Sequence, residues 1–385
     1  MRINKNILLL SSAFMFIFFA FGSVERYITT FFSEQGFSNV GFYSLILIYV
    51  FFTITNPWVT GFISKYGAKK SMMLGTIMYG FFIISVSINS INLVYVSSAL
   101  LGISAVLLWV GQSSYLIKAS NKENFGANAG IFTTLLFLGS GIGTPLLGFL
   151  IKLLSFRLSF LIYSILPFVS IVLLSRLDDF KTEAKAKNFK SILIVFKNTV
   201  ALKLASTWFA LSFVLGLAIG IIPIDITRTL GIVYVGILIS AFSIVPLFAS
   251  YISGKTSDKF GRKNIIKLSY TLLLIGLGLL YLSGTISLVL GIIILALSFT
   301  MLRTMTFALL GDIASKNNLE TLTSFFWMMT TIGTVFALLL STLIKTHTTI
   351  YLISFIIGTI LFISKLSILR FSLDSIKQKL AKEIN

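Results

Sequence analysis

The chain has no cysteine, one histidine, five prolines and only twelve acidic residues among 385. Without cysteine there is no disulfide, no thiolate nucleophile and no sulfur ligand for a metal. The lone His347 cannot assemble a ligand set by itself. No nucleotide-binding loop and no catalytic constellation is present, so the sequence predicts neither an enzyme nor a metal or other cofactor. No Asn-x-Ser/Thr glycosylation acceptor occurs either, which points toward a prokaryotic plasma membrane. Charged residues make up only 11% of the chain, while 56% is hydrophobic and mean hydropathy is +0.98. A soluble multidomain protein is excluded by those figures; a bilayer protein is predicted.

A membrane-crossing helix needs about 20 apolar residues. Twelve runs meet that length, near 7–32, 41–64, 70–89, 92–118, 126–151 and 157–176, then 201–227, 233–254, 264–284, 286–311, 320–345 and 348–370. Runs such as Leu288 to Leu297 are apolar at both odd and even positions, which argues against the alternation of a β-barrel. The expected fold class is therefore an all-α membrane protein of twelve spans. Arg2 and Lys5 before the first run imitate a signal peptide, but the run is too long for one and is read as the first span.

Basic residues set the orientation, because Lys and Arg of short loops stay on the cytoplasmic side. With both termini inside, only Arg26, Lys152, Arg157, Arg228 and Lys345 of the 31 Lys and Arg fall on the outer side, and Arg303 falls within a span. The net charge of +19 is read as this topology signal plus affinity for anionic lipid headgroups. The basic residues are spread over loops rather than gathered on one face, so no nucleic-acid partner is expected.

Residues 177–200 form the longest polar segment inside the chain, with Asp178, Asp179, Lys185, Lys187, Lys190 and Lys197. They separate two six-span halves, 1–176 and 201–370, and a cytoplasmic tail, 371–385, follows. An offset of 194 or 195 residues pairs Gly36 with Gly231, Gly41 with Gly236, Gly67 with Gly261, and Ala119-Ser120 with Ala314-Ser315. Ser120 with Glu123, and Asn317 with Glu320, read as matching capping boxes. A parallel repeat of two related halves accounts for these pairs.

The most telling copy is the basic turn Gly254-Lys255-Thr256-Ser257-Asp258-Lys259-Phe260-Gly261-Arg262-Lys263, with a worn counterpart at Ser64-Lys65-Tyr66-Gly67-Ala68-Lys69-Lys70. The turn resembles the signature of the major facilitator superfamily, Gly-x-x-x-Asp-Arg/Lys-x-Gly-Arg/Lys-Arg/Lys. Gly254, Asp258, Lys259, Gly261, Arg262 and Lys263 match it fully. The first copy departs from it, with Thr60 at the first Gly position, Ser64 at the Asp and Ala68 at the first basic position after Gly67. Within that superfamily, Gly36 to Gly41, Ile48-Tyr49, Leu101 to Ala105, Leu108 to Tyr115, Gly126 and Gly130-Ile131-Phe132 resemble the Unc-ninety-three-like group. The resemblance implies a major facilitator fold, a cytoplasmic gate at the two basic turns, and a small-molecule substrate. It also implies a second option, because some animal members of the group regulate or chaperone a membrane protein partner. Residue types support the gate independently: Gly254 permits close helix approach, Gly261 a sharp turn, and Asp258 offers charge to a helix N-terminus. Since Ser64 replaces Asp in the first copy, the latch is expected to rest mainly on the second.

Charge inside the bilayer is costly, so each instance is a functional candidate. Arg303, deep in the tenth span, either binds an anionic group or serves structurally, by snorkelling or by pairing with Asp312. Glu25 and Arg26 lie within the first span if it reaches Phe32, or at its end if it stops near Val24. Being adjacent, they point about 100° apart and cannot face one cavity together. Glu25 is the candidate for proton coupling. Trp109, Gln112 and Tyr115 recur at every third position of the fourth span, as a substrate-contacting stripe or as interhelical glue. Asn56-Pro57 predicts a bend in the second span, and the Phe-rich aromatic content is read as bilayer-facing bulk. The leading expectation is a secondary transporter working by alternating access of the two halves about a midplane site. The alternative is a non-transporting regulator of a membrane partner.

Overall fold

The computed structural model describes residues 5–120, 125–180, 195–313, 319–344 and 346–369. Among them, helices run as α1 Lys5–Glu34, α2 Ser38–Tyr66, α3 Ala68–Ile88, α4 Ile91–Lys118, α5 Phe125–Leu153, α6 Phe156–Ser175 and α7 Thr199–Ile219. They continue as α8 Ile221–Leu230, α9 Ile232–Ile239, α10 Ala241–Phe260, α11 Arg262–Tyr281, α12 Thr285–Ile313, α13 Leu319–Leu343 and α14 His347–Leu369. Twelve stretches among the described residues are long and apolar enough to cross a membrane, and the chain is an integral multi-pass membrane protein.

Two predicted spans prove to be interrupted. Thr199–Leu230 breaks at Gly220, whose φ of −97° and ψ of −92° are not helical, and Ile232–Ser257 breaks at Ser240. The first break has a chemical cause: Pro223 carries no N–H to continue the helical ladder, and Gly220 tolerates the departure. By contrast, α2 passes through Asn56-Pro57 without interruption. Helix α1 continues to Glu34, so Glu25 and Arg26 lie inside it.

The paired glycines mark the repeat in the backbone itself. Gly36, Gly67, Gly231 and Gly261 have φ of 80°, 86°, 101° and 85°, the left-handed region where a side chain is strained. Each sits between consecutive helices, so the sequence offset reports two identical backbone demands in each half.

Contacts group the chain into two units, Met1–Ala186 with Pro223–Ile244, and Lys187–Ile222 with Val245–Asn385. In the first, α1 packs on α5 and α6, α3 packs on α4 and α6, α2 packs on α4, and α9 lies against α5. In the second, α7 packs on α13 and α14, and α11 on α12 and α14. Numbered as spans, 1 with 5, 1 with 6, 3 with 4 and 3 with 6 recur as 7 with 11, 7 with 12, 9 with 10 and 9 with 12. The internal repeat therefore extends to packing. Residues 223–244, which end one interrupted span and begin the other, group with the first unit.

Large apolar side chains line the outside: Trp58 is 68% exposed, Phe248 70% and Leu343 79%. That surface suits hydrocarbon and would be a liability in water. Inside, many hydroxyls bond to carbonyls of their own helices, as Ser11 donates to the Ile7 carbonyl at 2.7 Å and Thr76 to Met72 at 2.8 Å. Of the expected caps, Glu123, Asn317 and the side chain of Glu320 lie outside the described residues. Ser120 instead accepts the Asn128 amide at 2.9 Å.

Candidate functional site

Phe14, Phe18, Phe21 and Glu25 follow one another on α1 at spacings of four, three and four, which places them on one helical face. Glu25 accepts a hydrogen bond from the Tyr49 hydroxyl of α2 at 2.8 Å. Phe21 meets Tyr79 of α3 edge-on at 4.8 Å, and Phe18 meets Trp109 of α4 at 5.2 Å. Phe14 closes the wall against Trp109 at 5.7 Å. A carboxylate thus heads an aromatic wall contributed by three helices. Phe14, Phe21 and Tyr79 are buried, whereas Phe18, Glu25, Tyr49 and Trp109 are part-exposed. The aromatic excess includes this internal cluster as well as bilayer-facing bulk.

Arg26 turns another way. Its guanidinium donates to Thr144 Oγ1 of α5 at 3.3 Å and to Ser243 Oγ of α10 at 2.9 Å. Ser243 also shares a hydrogen bond of 2.9 Å with Ser140, and Thr144 donates to the Ser140 carbonyl at 2.6 Å. Alongside, Tyr27 donates to the Ile232 carbonyl at 3.3 Å. The result is a buried polar seam joining α1, α5 and residues 232–243 within the first unit. Burial of Arg26, only 7% exposed, is tolerated because these hydroxyls replace water at two of its donors.

The aromatic and polar stripe on α4 does not act as one surface. Trp109 joins the wall, Gln112 is buried, and Tyr115 donates to the Asp178 carbonyl at 3.0 Å. Asn6 also holds Asp178, at 2.8 Å. Lys69 of the first basic turn donates to the Leu177 carbonyl at 2.7 Å and stands 3.8 Å from Asp179. These bonds neutralise carbonyls just past the C-terminus of α6, where a cation is favoured. Lys65 and Lys70 are exposed, with Lys65 5.2 Å from the Tyr66 ring.

In the second basic turn, Arg262 pairs with Asp312 at the end of α12, at 3.2 Å, and donates to Ser257. Asp312, which the sequence offered as a partner for Arg303, is thus engaged by Arg262. Lys259 lies 5.3 Å from the Phe260 ring, and Lys263 is part-buried at the start of α11. The side chains of Ser64 and Asp258 lie outside the described residues. Arg303 is part-exposed in α12, one turn from Thr300, whose hydroxyl is bonded to Ala296. The Arg262–Asp312 pair is about one quarter exposed, so its coupling should be small, about 0.2–1 kcal/mol. A double-mutant cycle with Arg262→Ala and Asp312→Ala, read by thermal unfolding, should give that value, and a coupling several times larger would contradict it.

Sequence reading missed Tyr49 and Tyr79, because a tyrosine in an apolar span carries no signal until its partner is known. It also missed Lys365, which is fully buried in α14 and donates to the Leu204 carbonyl at 3.3 Å. The available signal was a lysine still inside the last apolar run. Among the described residues no group of three or more His, Asp or Glu could hold a metal.

Comparison with known proteins follows the same division of the chain. Residues 35–207 match the family described as Ion channel regulatory protein UNC-93, and residues 204–383 match the Major Facilitator Superfamily. UNC93-like protein MFSD11 of Xenopus tropicalis is 32% identical over 134 residues, 34% of this chain and 30% of that protein. UNC93-like protein 3 of Arabidopsis thaliana is 28% identical over 129 residues, 33% of this chain and 27% of that protein. The chain thus spans less than a third of the length of these relatives. Among solved structures, a point-mutant form of the nucleoside transporter NupG aligns with a TM-score of 0.75 at 14% identity, covering 94% of this chain and 99% of that one. A peptide transporter POT in complex with sulfate aligns at 0.76 and 14%, covering 99% and 95%. At such identities the likeness is one of fold.

Proposed function

Because this chain has the major facilitator fold and resembles the UNC-93-like group in its first half, we propose that it is a secondary active transporter that moves a small solute by alternating access, with Glu25 as the proton-coupling group. The observation that carries this reading is Glu25, a carboxylate set within a membrane span and held by Tyr49 at 2.8 Å. An ionisable group inside a membrane span is costly, and by default marks a solute or proton pathway. Arg303, also set within a span, is a second candidate. The fold points to a non-enzymatic role, and energy would come from a gradient.

We place both termini on the cytoplasmic side of a prokaryotic plasma membrane, following the loop charges, with anionic headgroups against the basic loops. The two basic turns would then lie at the cytoplasmic gate. The halves 1–176 and 201–370, joined by 177–200 and followed by the tail 371–385, would be the moving parts.

A second reading, a non-transporting regulator or chaperone of a membrane partner, is favoured by the match of residues 35–207 to the family described as an ion channel regulator. A counterflow screen in proteoliposomes separates the two. Saturable exchange of some solute, reduced at least tenfold by Arg303→Ala, is expected. Absence of exchange for every solute, with stable co-purification of a membrane protein, would overturn the transporter.

A further inference from the structure

Glu25 heads the aromatic wall without a direct cationic partner: no ion pair joins it to Arg26 among the described residues, and the Arg26 guanidinium is committed to Thr144 and Ser243. The two charges still sense each other at longer range, yet Arg26 does not occupy the carboxylate. Beside Glu25 stand Tyr49 and, one helical turn before it, Phe21, which packs on Tyr79. Phe18 is seven residues before Glu25, so the Phe18–Trp109 contact lies about 10 Å further along the helix axis.

We propose that this face of the first unit binds an organic cation with an apolar or aromatic tail: the charged head at Glu25 beside Tyr49, the tail along Phe18 and Trp109, the four part-exposed side chains of the wall. The chemistry is specific to that class. Aromatic faces attract a positive charge and repel a negative one, and a lone carboxylate supplies the net attraction. An anionic solute would meet carboxylate and ring faces of the wrong sign. A neutral one would leave Glu25 desolvated and without a counter-charge. The spacing selects a tail reaching about 10 Å from the head, rather than a compact ion. Proton and cation would compete for the same carboxylate, which gives exchange a physical basis.

The inference names the substrate class of the proposed transporter and rests on that reading only for movement, since binding can be measured alone. Detergent-purified full chain should bind phenylpropyltrimethylammonium saturably, as read by quenching of tryptophan fluorescence and by calorimetry. Glu25→Gln should weaken binding at least tenfold while leaving the weak affinity for uncharged phenylpropanol equal to the parent's or higher, since the penalty of an uncompensated carboxylate is gone. Glu25→Asp, which keeps the charge, should stay within a few-fold of the parent, and Trp109→Leu should weaken binding severalfold. Thermal unfolding of each variant guards against misfolding. No saturable binding by the parent, or equal loss in Glu25→Gln and Glu25→Asp, would overturn the site. Binding without counterflow would retain the site and remove the transporter. Counterflow of an anionic or neutral solute without cation binding would do the reverse.

Discussion

A Gly139→Leu protein should fail to accumulate as a folded, monodisperse species, whereas Gly130→Leu on the same helix should behave like the parent. An ideal Cβ at Gly139 would stand 2.3 Å from the Met15 carbonyl oxygen and 3.0 Å from its carbon. Gly143 is the next turn of the same contact, with the Phe19 carbonyl oxygen 2.4 Å away. In both cases the obstacle is backbone, which cannot swing aside as a flexible side chain can. Helix α1 would have to move off α5, and with it the wall and the seam that α1 carries. Overpacking of this kind costs about 3 kcal/mol, and a rigid backbone obstacle puts it at the upper end. Around Gly130 nothing lies within 4 Å, so a side chain there meets open space. Size-exclusion of a fluorescent fusion, followed by thermal unfolding, compares the two, and equal behaviour would show that α1 and α5 are not held this closely.

The second large effect is expected at the polar seam. Arg26→Ala should raise the rate at which a single cysteine at Val235 reacts with a membrane-impermeant maleimide by about ten- to hundredfold, equivalent to losing about 1.5–3 kcal/mol of charge-assisted hydrogen bonding. Val235 is fully buried in α9, which packs on α5 within the first unit. Arg26 ties α10 to α1 through Ser243, so its loss should let residues 223–244 detach more often. Among the side-chain bonds described above, the Ser140–Ser243 and Tyr27–Ile232 bonds would still reach residues 232–243. Arg26→Lys should recover only part of the effect, because an ammonium cannot reproduce the planar fork that reaches Thr144 and Ser243 together. The absence of native cysteine gives the assay a clean background. An unchanged labelling rate would mean that Arg26 does not hold residues 223–244 in place.

Much of the architecture was legible before any coordinates. Gly36, Gly67, Gly231 and Gly261 were paired by offset alone, and each adopts positive φ because the turn between two helices demands it. What resisted reading was anything set by the rotational phase of one helix against another. Tyr115 sits six residues from Trp109, and spacing alone put both on one stripe. In the fold one joins the α1 wall and the other holds the chain after α6. Likewise Asp312 was nearer in sequence to Arg303, yet it meets Arg262, fifty residues away.

Sequence alone determined that this protein lives in a bilayer, that it has twelve spans in two related halves, and where most turns fall. These properties depend on the hydrocarbon thickness and on backbone demands at single residues, both of which are written along one dimension. Only the tertiary structure decided that Glu25 faces Tyr49, that Arg26 reaches residues 118 and 217 positions away, and that Phe18 and Phe21 build a wall with Trp109 and Tyr79. Those meetings depend on tilt, phase and the close approach that glycines at α1 and α5 permit, and neighbouring residues in the chain carry no record of them.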